Sequence, residues 1–527
     1  MSKPPHRILS DSLRFTVEKH PDDIAAVVEG VPYSYATLNN SSKQLAAFLQ
    51  QQGLHRGDRV AIFMDNSWEC ITAIYAAQLC GAVFVIINPQ TKSEKLQYII
   101  NDSEATALIC DTKLAKSFTP TLSSESSLET VICHGDLSTV STFTAIHDYT
   151  SIIENDIDTS ALPANPVIAP DLCALIYTSG STGEPKGVMQ THGSMLFALQ
   201  SLIEYLRLSK SDRILCALPL AFDYGLYQLL MSVYLGATLV LEKSFTYPAL
   251  IFNRIRDENV TVFPAVPTMF SMIIATHNRE PLHFPSVTRV TNTAAALPAD
   301  FIPALTEIFP QALIYKMYGL TECKRACYLP PEMLQHKPTS VGIAIPGTEM
   351  FLLSASGKKA KTGEHGILHI RGPHIMRGYW NKPEETANTL LTHLYPDETI
   401  LCTNDTLYQD DEGYFYFVGR NDDIIKTRGE KVSPVEVENV LHSIDGINEA
   451  AVIGTRDNIL GESVTAFVSP TSGTTLNANK IKRACAEKLE PYMVPKDFII
   501  MPELPKTNTG KIDKKPLRAS VEQEKTS

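Results

Sequence analysis

The sequence predicts an α/β protein with a large N-terminal domain of mostly parallel sheets flanked by helices and a small α+β C-terminal domain. Apolar runs of strand length alternate with runs of helix length from residue 34 to residue 111, which is the pattern of βαβ crossovers. The chain has 527 residues, more than one hydrophobic core usually supports. At residues 419–423 the sequence changes to a polar turn, and a Lys-rich stretch of about 100 residues, a usual size for a small domain, follows it. We therefore predict domains at residues 1–420 and 421–527.

The spacing of apolar residues assigns helices and strands along the chain. Predicted helices cover residues 36–52, 68–79 and 93–101, and predicted strands cover 59–64, 82–87, 107–110 and 172–176. Residues 119–151 are rich in serine and threonine, and we interpret them as a surface excursion. The alternation resumes at 213–241 and 259–315, and residues 434–500 are predicted to form a compact βαβ-like set.

Charge and composition exclude several classes of protein. The net charge of -12 argues against a nucleic-acid partner bound through a basic face. The N-terminus leads into no apolar signal region, and the longest apolar stretch, at 76–88, is too short to span a bilayer. The ten cysteines include no CxxC pair, so we expect reduced core thiols in a cytoplasmic protein without a transmembrane segment.

A loop rich in glycine and hydroxyl residues, here called the phosphate loop (residues 177–188), follows the apolar strand at 172–176. Glycines at 180, 183 and 187 permit unusual backbone angles, and hydroxyl side chains lie between them beside Lys186. Consecutive N–H groups, hydroxyls and one lysine can enclose a polyphosphate. A flexible linker has similar composition but rarely leaves a buried strand directly. The Walker A spacing is absent, which disfavours a P-loop NTPase.

Two further segments combine residues that suit a nucleotide. In the segment 315–322, the aromatic face of Tyr318 suits a purine, and the carboxylate of Glu322 suits a hard cation that bridges phosphates. Alone, this segment would more often be a plain strand end and turn, but its distance downstream of the phosphate loop favours a nucleotide site. Asp405 could accept hydrogen bonds from two vicinal hydroxyls of a ribose.

The segment 504–513 contains Thr507-Asn-Thr-Gly-Lys511, and it completes a set of four motifs. Together these motifs resemble, in identity and order, the adenylate-forming superfamily of acyl-CoA synthetases, peptide-synthetase adenylation domains and firefly luciferases. The resemblance spans about residues 10–518, and it implies a hinged small domain that swings between two half-reactions.

The resemblance also implies the roles of individual residues. The implied catalytic residues are Lys511, Thr178 and Glu322, of which Glu322 would also hold Mg²⁺. The implied nucleotide-binding residues are Thr178, Ser179, Gly180, Ser181, Thr182, Gly183, Lys186, Ala294, Ala295, Tyr318, Gly319, Thr321, Asp405, Phe417 and Arg420. The implied hinge is Asp422, and Lys426 and Gly429 would line the thiol channel. Arg420 could instead form a surface salt bridge, and the residues around Lys426 a solvated basic loop.

Two positions depart from the pattern of the superfamily. Glycine is commoner at the small-residue wall that contains Ala294, and also at the position of Asn404, directly before the predicted ribose clamp. Both departures put the local backbone in question. A tightly packed turn explains the wall equally well.

The implied acid pocket contains Phe222, Asp223, Tyr224, Tyr227, Met317 and Arg325. Adenylation domains place an aspartate after this phenylalanine to pair with a substrate ammonium, so Asp223 is either an amino-acid selector or a structural residue. Lys324 and Arg325 are unusual in a pocket expected to be apolar for fatty acids. They could pair with Asp223, with a second substrate carboxylate, or with water.

The resemblance implies an enzyme that uses ATP and Mg²⁺ to convert a carboxylic acid into an acyl-AMP and then transfers the acyl group to a phosphopantetheine thiol. We favour an amino acid or small acid loaded onto a carrier protein in trans. The alternative is an acyl-CoA synthetase that uses free CoA. A protein of a different class, a catalytically inactive nucleotide-binding scaffold, is disfavoured because Lys511, Glu322 and the phosphate loop are all present.

Overall fold

The computed structural model describes residues 6–122, 126–140, 145–155, 157–163, 166–179, 184–420, 423, 425–427, 430–457, 460–471, 473–507 and 511–524. The helices, in chain order, are α1 (Ser10–Lys19), α2 (Tyr35–Gln51), α3 (Trp68–Leu79), α4 (Ser93–Asp102), α5 (Ala115–Phe118), α6 (Tyr149–Glu154), α7 (His192–Tyr205), α8 (Asp223–Leu235), α9 (Pro248–Asp257), α10 (Pro267–His277), α11 (Ile302–Ile308), α12 (Pro383–Thr389), α13 (Pro434–His442), α14 (Ala478–Lys488) and α15 (Lys514–Glu524).

The strands, in chain order, are β1 (Ile24–Val28), β2 (Val31–Ser34), β3 (Arg59–Phe63), β4 (Val83–Ile87), β5 (Ala105–Asp111), β6 (Thr130–His134), β7 (Ile146–Asp148), β8 (Leu172–Ser179), β9 (Pro185–Thr191), β10 (Arg213–Cys216), β11 (Thr238–Leu241), β12 (Val262–Ala265), β13 (Arg289–Asn292), β14 (Leu313–Tyr318), β15 (Cys327–Leu329), β16 (Ile343–Ala344), β17 (Glu349–Leu353), β18 (Gly366–Arg371), β19 (Gly378–Tyr379), β20 (Leu390–Leu391), β21 (Ile400–Gln409), β22 (Phe415–Arg420), β23 (Ile425–Thr427), β24 (Glu430–Val432), β25 (Ile447–Asp457), β26 (Gly461–Pro470) and β27 (Asp497–Ile500).

Two sheets with parallel centres form the body of the large domain. In the described part of the chain, one has the strand order β16-β15-β14-β13-β12-β10-β11-β1-β2, and the other has the order β19-β9-β8-β4-β3-β5-β6-β7. Strands β10 to β14 run parallel in the first sheet, as do β3 to β6 in the second. Their apolar runs are buried because helices cover the faces of such sheets. The predicted fold class, a large parallel-sheet domain followed by a smaller one, is confirmed.

The interpretation of residues 119–151 as a surface excursion is wrong in its centre. Strand β6 pairs in parallel with β5 and continues the second sheet, and Val131 to Cys133 are buried. Only three consecutive apolar residues mark this strand, and the serines and threonines around it hid them. Its burial depends on β5, which no local pattern reveals.

A third sheet is antiparallel, with the order β17-β18-β21-β20 and with β22 paired to β21. The fourth sheet has the order β24-β23-β26-β25, with β27 parallel to β26, and helices α13, α14 and α15 accompany it. Strand β22 ends at Arg420 in the third sheet, and β23 begins at Ile425 in the fourth. The predicted domain boundary falls between these strands. The hinge role of Asp422 stays a prediction, since Asp422 lies outside the described residues.

All ten cysteines are free, and nine of them are buried, as expected for reduced core thiols. Among the described residues, we find no helix whose length and apolar character would allow it to cross a bilayer.

The side-chain amide of Asn66 joins the two parallel sheets. Asn66 lies just beyond β3 and is only 5% exposed. Its Nδ2 donates to the carbonyl oxygens of Leu218 and Glu242, each at 2.9 Å, and its Oδ1 accepts from the N–H of Leu220 at 2.8 Å. Leu218 and Glu242 follow β10 and β11 of the first sheet. One buried side chain therefore satisfies three backbone groups across the sheet-to-sheet contact.

We expect Asn66→Leu to lower the thermal midpoint of the large domain by about 5 °C or more. The leucine leaves three buried backbone groups without partners, at a cost of about 1–3 kcal/mol for each group. Differential scanning calorimetry measures the midpoint. Asn101→Leu, at an exposed position on α4, serves as the matched control and should shift the midpoint by less than about 1 °C. Equal midpoints for the two variants would contradict the bridging role of Asn66.

Candidate active site

The phosphate loop connects two paired strands of the second sheet. Strands β8 and β9 run antiparallel, with Thr178 opposite Lys186 in the register. The Nζ of Lys186 lies 5.3 Å from the centre of the Tyr379 ring. Ser179 ends β8, and the predicted phosphate-binding residues Gly180, Ser181, Thr182 and Gly183 lie outside the described residues. Their roles stay predictions.

Tyr318, the last residue of β14, is joined to Asp405 across the first and third sheets. The Tyr318 hydroxyl donates to Oδ2 of Asp405. Asp405 is 3% exposed, and its Oδ1 accepts no hydrogen bond from the described residues. The Nε of Arg420 lies 3.4 Å from this oxygen, and the Phe417 ring packs 5.8 Å from the Tyr318 ring. A buried carboxylate oxygen without a hydrogen-bond donor among these residues fits the predicted contact with ribose hydroxyls.

Burial raises the pKa of Asp405, and this effect outweighs the opposite effects of the Tyr318 hydroxyl and the Arg420 guanidinium. Asn404 adopts φ +59°, a left-handed conformation in which glycine and asparagine are the most favourable residues. Asparagine therefore replaces the commoner glycine without altering the backbone. Ala294 also has a positive φ, of +76°, and it is half-buried, whereas Ala295 is exposed.

The segment after Tyr318 folds back tightly on itself. A side-chain carbon on Gly319 would lie 2.6 Å from the carbonyl oxygen of Lys324 and 2.7 Å from Cα of Arg325. Such distances exclude every residue except glycine. The carbonyl oxygen of Thr321, at the outer end of this fold-back, accepts from Nε2 of Gln190 at 2.9 Å.

Glu322 is held by β19 of the second sheet and by the residues just before it. Its Oε1 accepts from the Tyr379 hydroxyl at 2.7 Å, and its carbonyl oxygen accepts from the N–H of Met376 at 2.7 Å. Tyr379 lies on β19, which pairs with β9 beside the phosphate loop. We did not predict a role for Tyr379, because its pairing joins segments nearly 200 residues apart and no local pattern marks it. One oriented carboxylate fits Mg²⁺, which is commonly held by one or two carboxylates together with phosphate oxygens.

The predicted acid pocket lies between α8 and the fold-back after Gly319. Phe222 is the N-cap of α8, and Asp223 is its first residue. The Tyr224 hydroxyl contacts the Thr291 hydroxyl at 2.7 Å, and the Tyr205 hydroxyl contacts Sδ of Met317 at 2.9 Å. These aromatic contacts fix the walls of the pocket.

Two buried cations stand in this pocket. The Nζ of Lys324 lies 3.4 Å from Oδ2 of Asp223 and 4.6 Å from the centre of the buried Tyr227 ring. Of the three alternatives for Lys324, the structure therefore contains the pair with Asp223. Burial lowers the pKa of Lys324 to about 7, although Asp223 opposes this shift. Arg325 is 2% exposed, and its Nη1 donates to the hydroxyl of Thr293.

Lys511 lies in the last part of the small domain, just before α15. The N–H of Thr507 donates to the carbonyl oxygen of Lys511 at 2.7 Å. The Lys511 residue is exposed at the surface, and desolvation by the neighbouring protein atoms lowers its pKa. The charges of Asp223, Asp405 and Glu322 act in the opposite direction. The structure thus brings Lys511 within electrostatic reach of both the predicted nucleotide site and the predicted acid pocket.

The predicted thiol channel is described only in part. Lys426 lies on β23, and Gly429 lies outside the described residues. The channel stays a prediction.

Comparisons with known proteins agree with this arrangement. Residues 13–380 match the family described as AMP-binding enzyme, and residues 436–511 match the AMP-binding enzyme C-terminal domain. A long-chain-fatty-acid–CoA ligase of Bacillus subtilis (strain 168) is 30% identical over 96% of this chain and 93% of that protein. Gramicidin S synthase 2 of Brevibacillus brevis is 28% identical over 98% of this chain, but over only 11% of that protein. A crystal structure of an anthranilate CoA ligase in complex with anthranoyl-AMP has a TM-score of 0.90 and 26% identity, covering 100% of this chain and 99% of that one.

The fold and the matched residues show that the chain belongs to the AMP-binding enzyme family, the adenylate-forming superfamily that its motifs resemble. Within this family it is an AMP-forming acid–thiol ligase, as its CoA ligase relatives are.

We expect that AMP binding weakens at a higher pH in Tyr318→Phe than in the native enzyme. The pH at which AMP affinity falls to half its maximum is here called the acid limit. An ionised Asp405 accepts hydrogen bonds from ribose hydroxyls more strongly than a protonated one, so AMP affinity is highest above its pKa and weakens as the pH falls through it. That pKa already lies above 3.8, and removing the Tyr318 hydroxyl raises it further because this hydroxyl stabilises the carboxylate. Phenylalanine retains the aromatic ring.

Isothermal titration calorimetry with AMP at a series of pH values between about 4 and 8 measures the acid limit. This pH range begins near the ordinary pKa of a carboxyl group and extends past neutrality. Tyr416→Phe is the matched control. It removes a hydroxyl of the third sheet that donates to Asp410 at 3.0 Å, and we expect no shift of the acid limit. An acid limit that is the same in both variants would show that Asp405 does not govern nucleotide binding.

Proposed function

We propose that this enzyme activates a carboxylic acid with MgATP to an acyl-AMP and then transfers the acyl group to the thiol of free CoA. The position of Lys511 is the observation that carries the proposal. Its pKa responds to Asp223 of the acid pocket and to Asp405 and Glu322 of the nucleotide site. A cation between the two substrates is what the first half-reaction requires.

In the first half-reaction, a carboxylate oxygen of the acid attacks the α-phosphorus of ATP, and the bond from this phosphorus to the bridging oxygen of pyrophosphate breaks. Two anions approach each other in this step, and negative charge accumulates on the phosphoryl oxygens. Lys511 and Lys186 supply positive charge there, and the Tyr318–Asp405 pair holds the adenosine in line. Mg²⁺, when bound at Glu322, supplies further charge neutralisation on the phosphate oxygens.

In the second half-reaction, the sulfur of CoA attacks the carbonyl carbon of the acyl-AMP. The bond from this carbon to the AMP oxygen breaks, AMP leaves, and the thiol proton passes to solvent. The mixed anhydride makes AMP a good leaving group. Rotation of the small domain about the predicted hinge, Asp422, would withdraw Lys511 and admit the thiol.

The Phe222-Asp223 pair predicts an amino acid loaded onto a carrier protein, but two observations favour free CoA and an acid without an ammonium group. Relatives that this chain matches over nearly their whole length are CoA ligases, whereas the match to gramicidin S synthase 2 covers a small part of that protein. In addition, the Nζ of Lys324 lies 3.4 Å from Oδ2 of Asp223, where a substrate ammonium would have to bind. A substrate ammonium would have to displace this lysine.

We expect Lys511→Ala to lower the rate of pyrophosphate–ATP exchange by about 100-fold or more, because the cation contributes mainly in the transition state. Thioester formation from synthetic acyl-AMP and CoA should change by less than about tenfold, since Lys511 acts in the other half-reaction. Lys515→Ala, at an exposed position on α15, is the matched control. Undiminished exchange in Lys511→Ala would refute the catalytic role.

A panel of alkanoic, aromatic and amino acids identifies the acid, and mass spectrometry identifies the trapped acyl-AMP and the thioester. Binding of ATP without exchange for any acid would instead favour an inactive nucleotide-binding scaffold.

We expect Asp223→Asn to retain exchange with the preferred acid within about tenfold, because loss of the carboxylate charge lets the neighbouring Lys324 lose its proton instead of remaining a buried unpaired cation. A selector of ammonium groups would behave differently: the variant would lose about 100-fold or more, and only with amino acids. Exchange rates across the panel for both proteins distinguish these outcomes.

A further inference from the structure

Arg325 is a buried guanidinium without an acidic partner among the described residues. It is 2% exposed, and it is one of the largest fully buried side chains in the described part of the protein. Its Nη1 donates to the neutral hydroxyl of Thr293, its Nε has no hydrogen-bond partner in the described ranges, and its Cζ lies 5.8 Å from the centre of the Tyr224 ring. A buried charge is costly unless an opposite charge and hydrogen bonds compensate it. The described structure therefore contains a cation that lacks its counter-charge.

The neighbouring groups do not supply that charge. Lys324, the adjacent residue, is itself a cation, and its Nζ is directed to Asp223. His374 is 1% exposed, and burial lowers its pKa to about 4, so it is neutral at physiological pH. Asp223 lies beside Lys324, with Oδ2 at 3.4 Å from Nζ, and no described carboxylate forms an ion pair with Arg325.

Arg325 lies deeper in the protein than Asp223, the other predicted pocket residue that carries a charge, on α8. Asp223 stands nearer the entrance, with 24% of its side chain exposed, and Lys511 responds to its charge. Arg325 is more deeply buried than Asp223, and its Cζ lies 5.8 Å from the ring centre of Tyr224, the residue that follows Asp223 on α8. An acid whose reacting carboxylate lies beside Lys511 would extend its other end toward Arg325.

We propose that the acid activated by this enzyme carries a second carboxylate at the end remote from the reacting one, and that Arg325 binds this carboxylate. A carboxylate is planar and carries one negative charge, so it matches the fork of a guanidinium and neutralises the pocket. A phosphate group would carry more negative charge than the pocket has in excess. This inference rests on the proposed function, since it specifies the acid in that reaction.

The test compares acids that differ only in the second carboxylate. The probes are α,ω-dicarboxylic acids of three to ten carbons with the monocarboxylic acids of equal length, and the benzenedicarboxylic acids with benzoic acid. We expect kcat/KM for pyrophosphate exchange to be higher for one diacid than for its matched monoacid by about 30-fold or more, since a site built to pair a charged group discriminates strongly against a ligand that lacks it.

Arg325→Met should abolish this preference, because it should lower kcat/KM with the diacid about 30-fold more than kcat/KM with the matched monoacid. Arg325→Lys, which keeps the charge but loses the fork, should show an intermediate preference. Arg207→Met, at an exposed arginine of the large domain, is the control and should leave the ratio unchanged. A purely structural role predicts a different result, in which Arg325→Met loses activity with both acids equally.

The outcomes separate the two proposals. No exchange with any acid would overturn the proposed function. Exchange in the native enzyme with monoacids that equals or exceeds exchange with every matched diacid would overturn only the role of Arg325, and this comparison requires no variant to fold.

Discussion

The contact between Gly319 and the backbone of Lys324 and Arg325 is the constraint on which both halves of the site depend. No side chain fits between them, so the chain can reverse there only with glycine. The reversal places Glu322 on the outside, within reach of Tyr379, and directs Lys324 and Arg325 into the interior. A single short segment thus contributes residues to both the predicted nucleotide site and the predicted acid pocket.

The two sides have opposite electrostatic character. Asp405 and Glu322 present carboxylate oxygens, which suit ribose hydroxyls and a metal ion, whereas Lys324 and Arg325 are buried basic side chains beside α8. In the proposed reaction, this division would allow two anionic substrates to approach each other, because each would be bound by complementary groups before the step in which they react. Lys511 feels the charges of Asp405 and Glu322 in the predicted nucleotide site and of Asp223 in the predicted acid pocket. Its charge can therefore act on the transferring phosphoryl group rather than on either substrate alone.

Local patterns in the sequence predicted the elements that have strong periodicity. Helix α3 matches the predicted bounds, and the parallel sheets follow from the alternation of helices and strands. What local patterns could not predict depends on contacts between distant segments, such as the pairing that buries β6 and the hydroxyl that Tyr379 presents to Glu322. The motifs likewise identified Asp405 as a candidate residue. They could not predict its hydrogen bond with Tyr318 or the missing hydrogen-bond donor at its Oδ1 in the described structure, because both depend on the contact between the first and third sheets.

Asp223 shows why the substrate was the least predictable feature. The same carboxylate after a phenylalanine can bind a substrate ammonium or a protein lysine, and the local letters are identical in both cases. The distinction depends on Lys324, about 100 residues further along, whose backbone adopts φ +59° in the fold-back after Gly319. Once that lysine occupies Asp223, an ammonium ligand must break an existing ion pair, whereas an anionic ligand at Arg325 creates one. The charge of the pocket is thus determined jointly by α8 and the fold-back, and it favours anions.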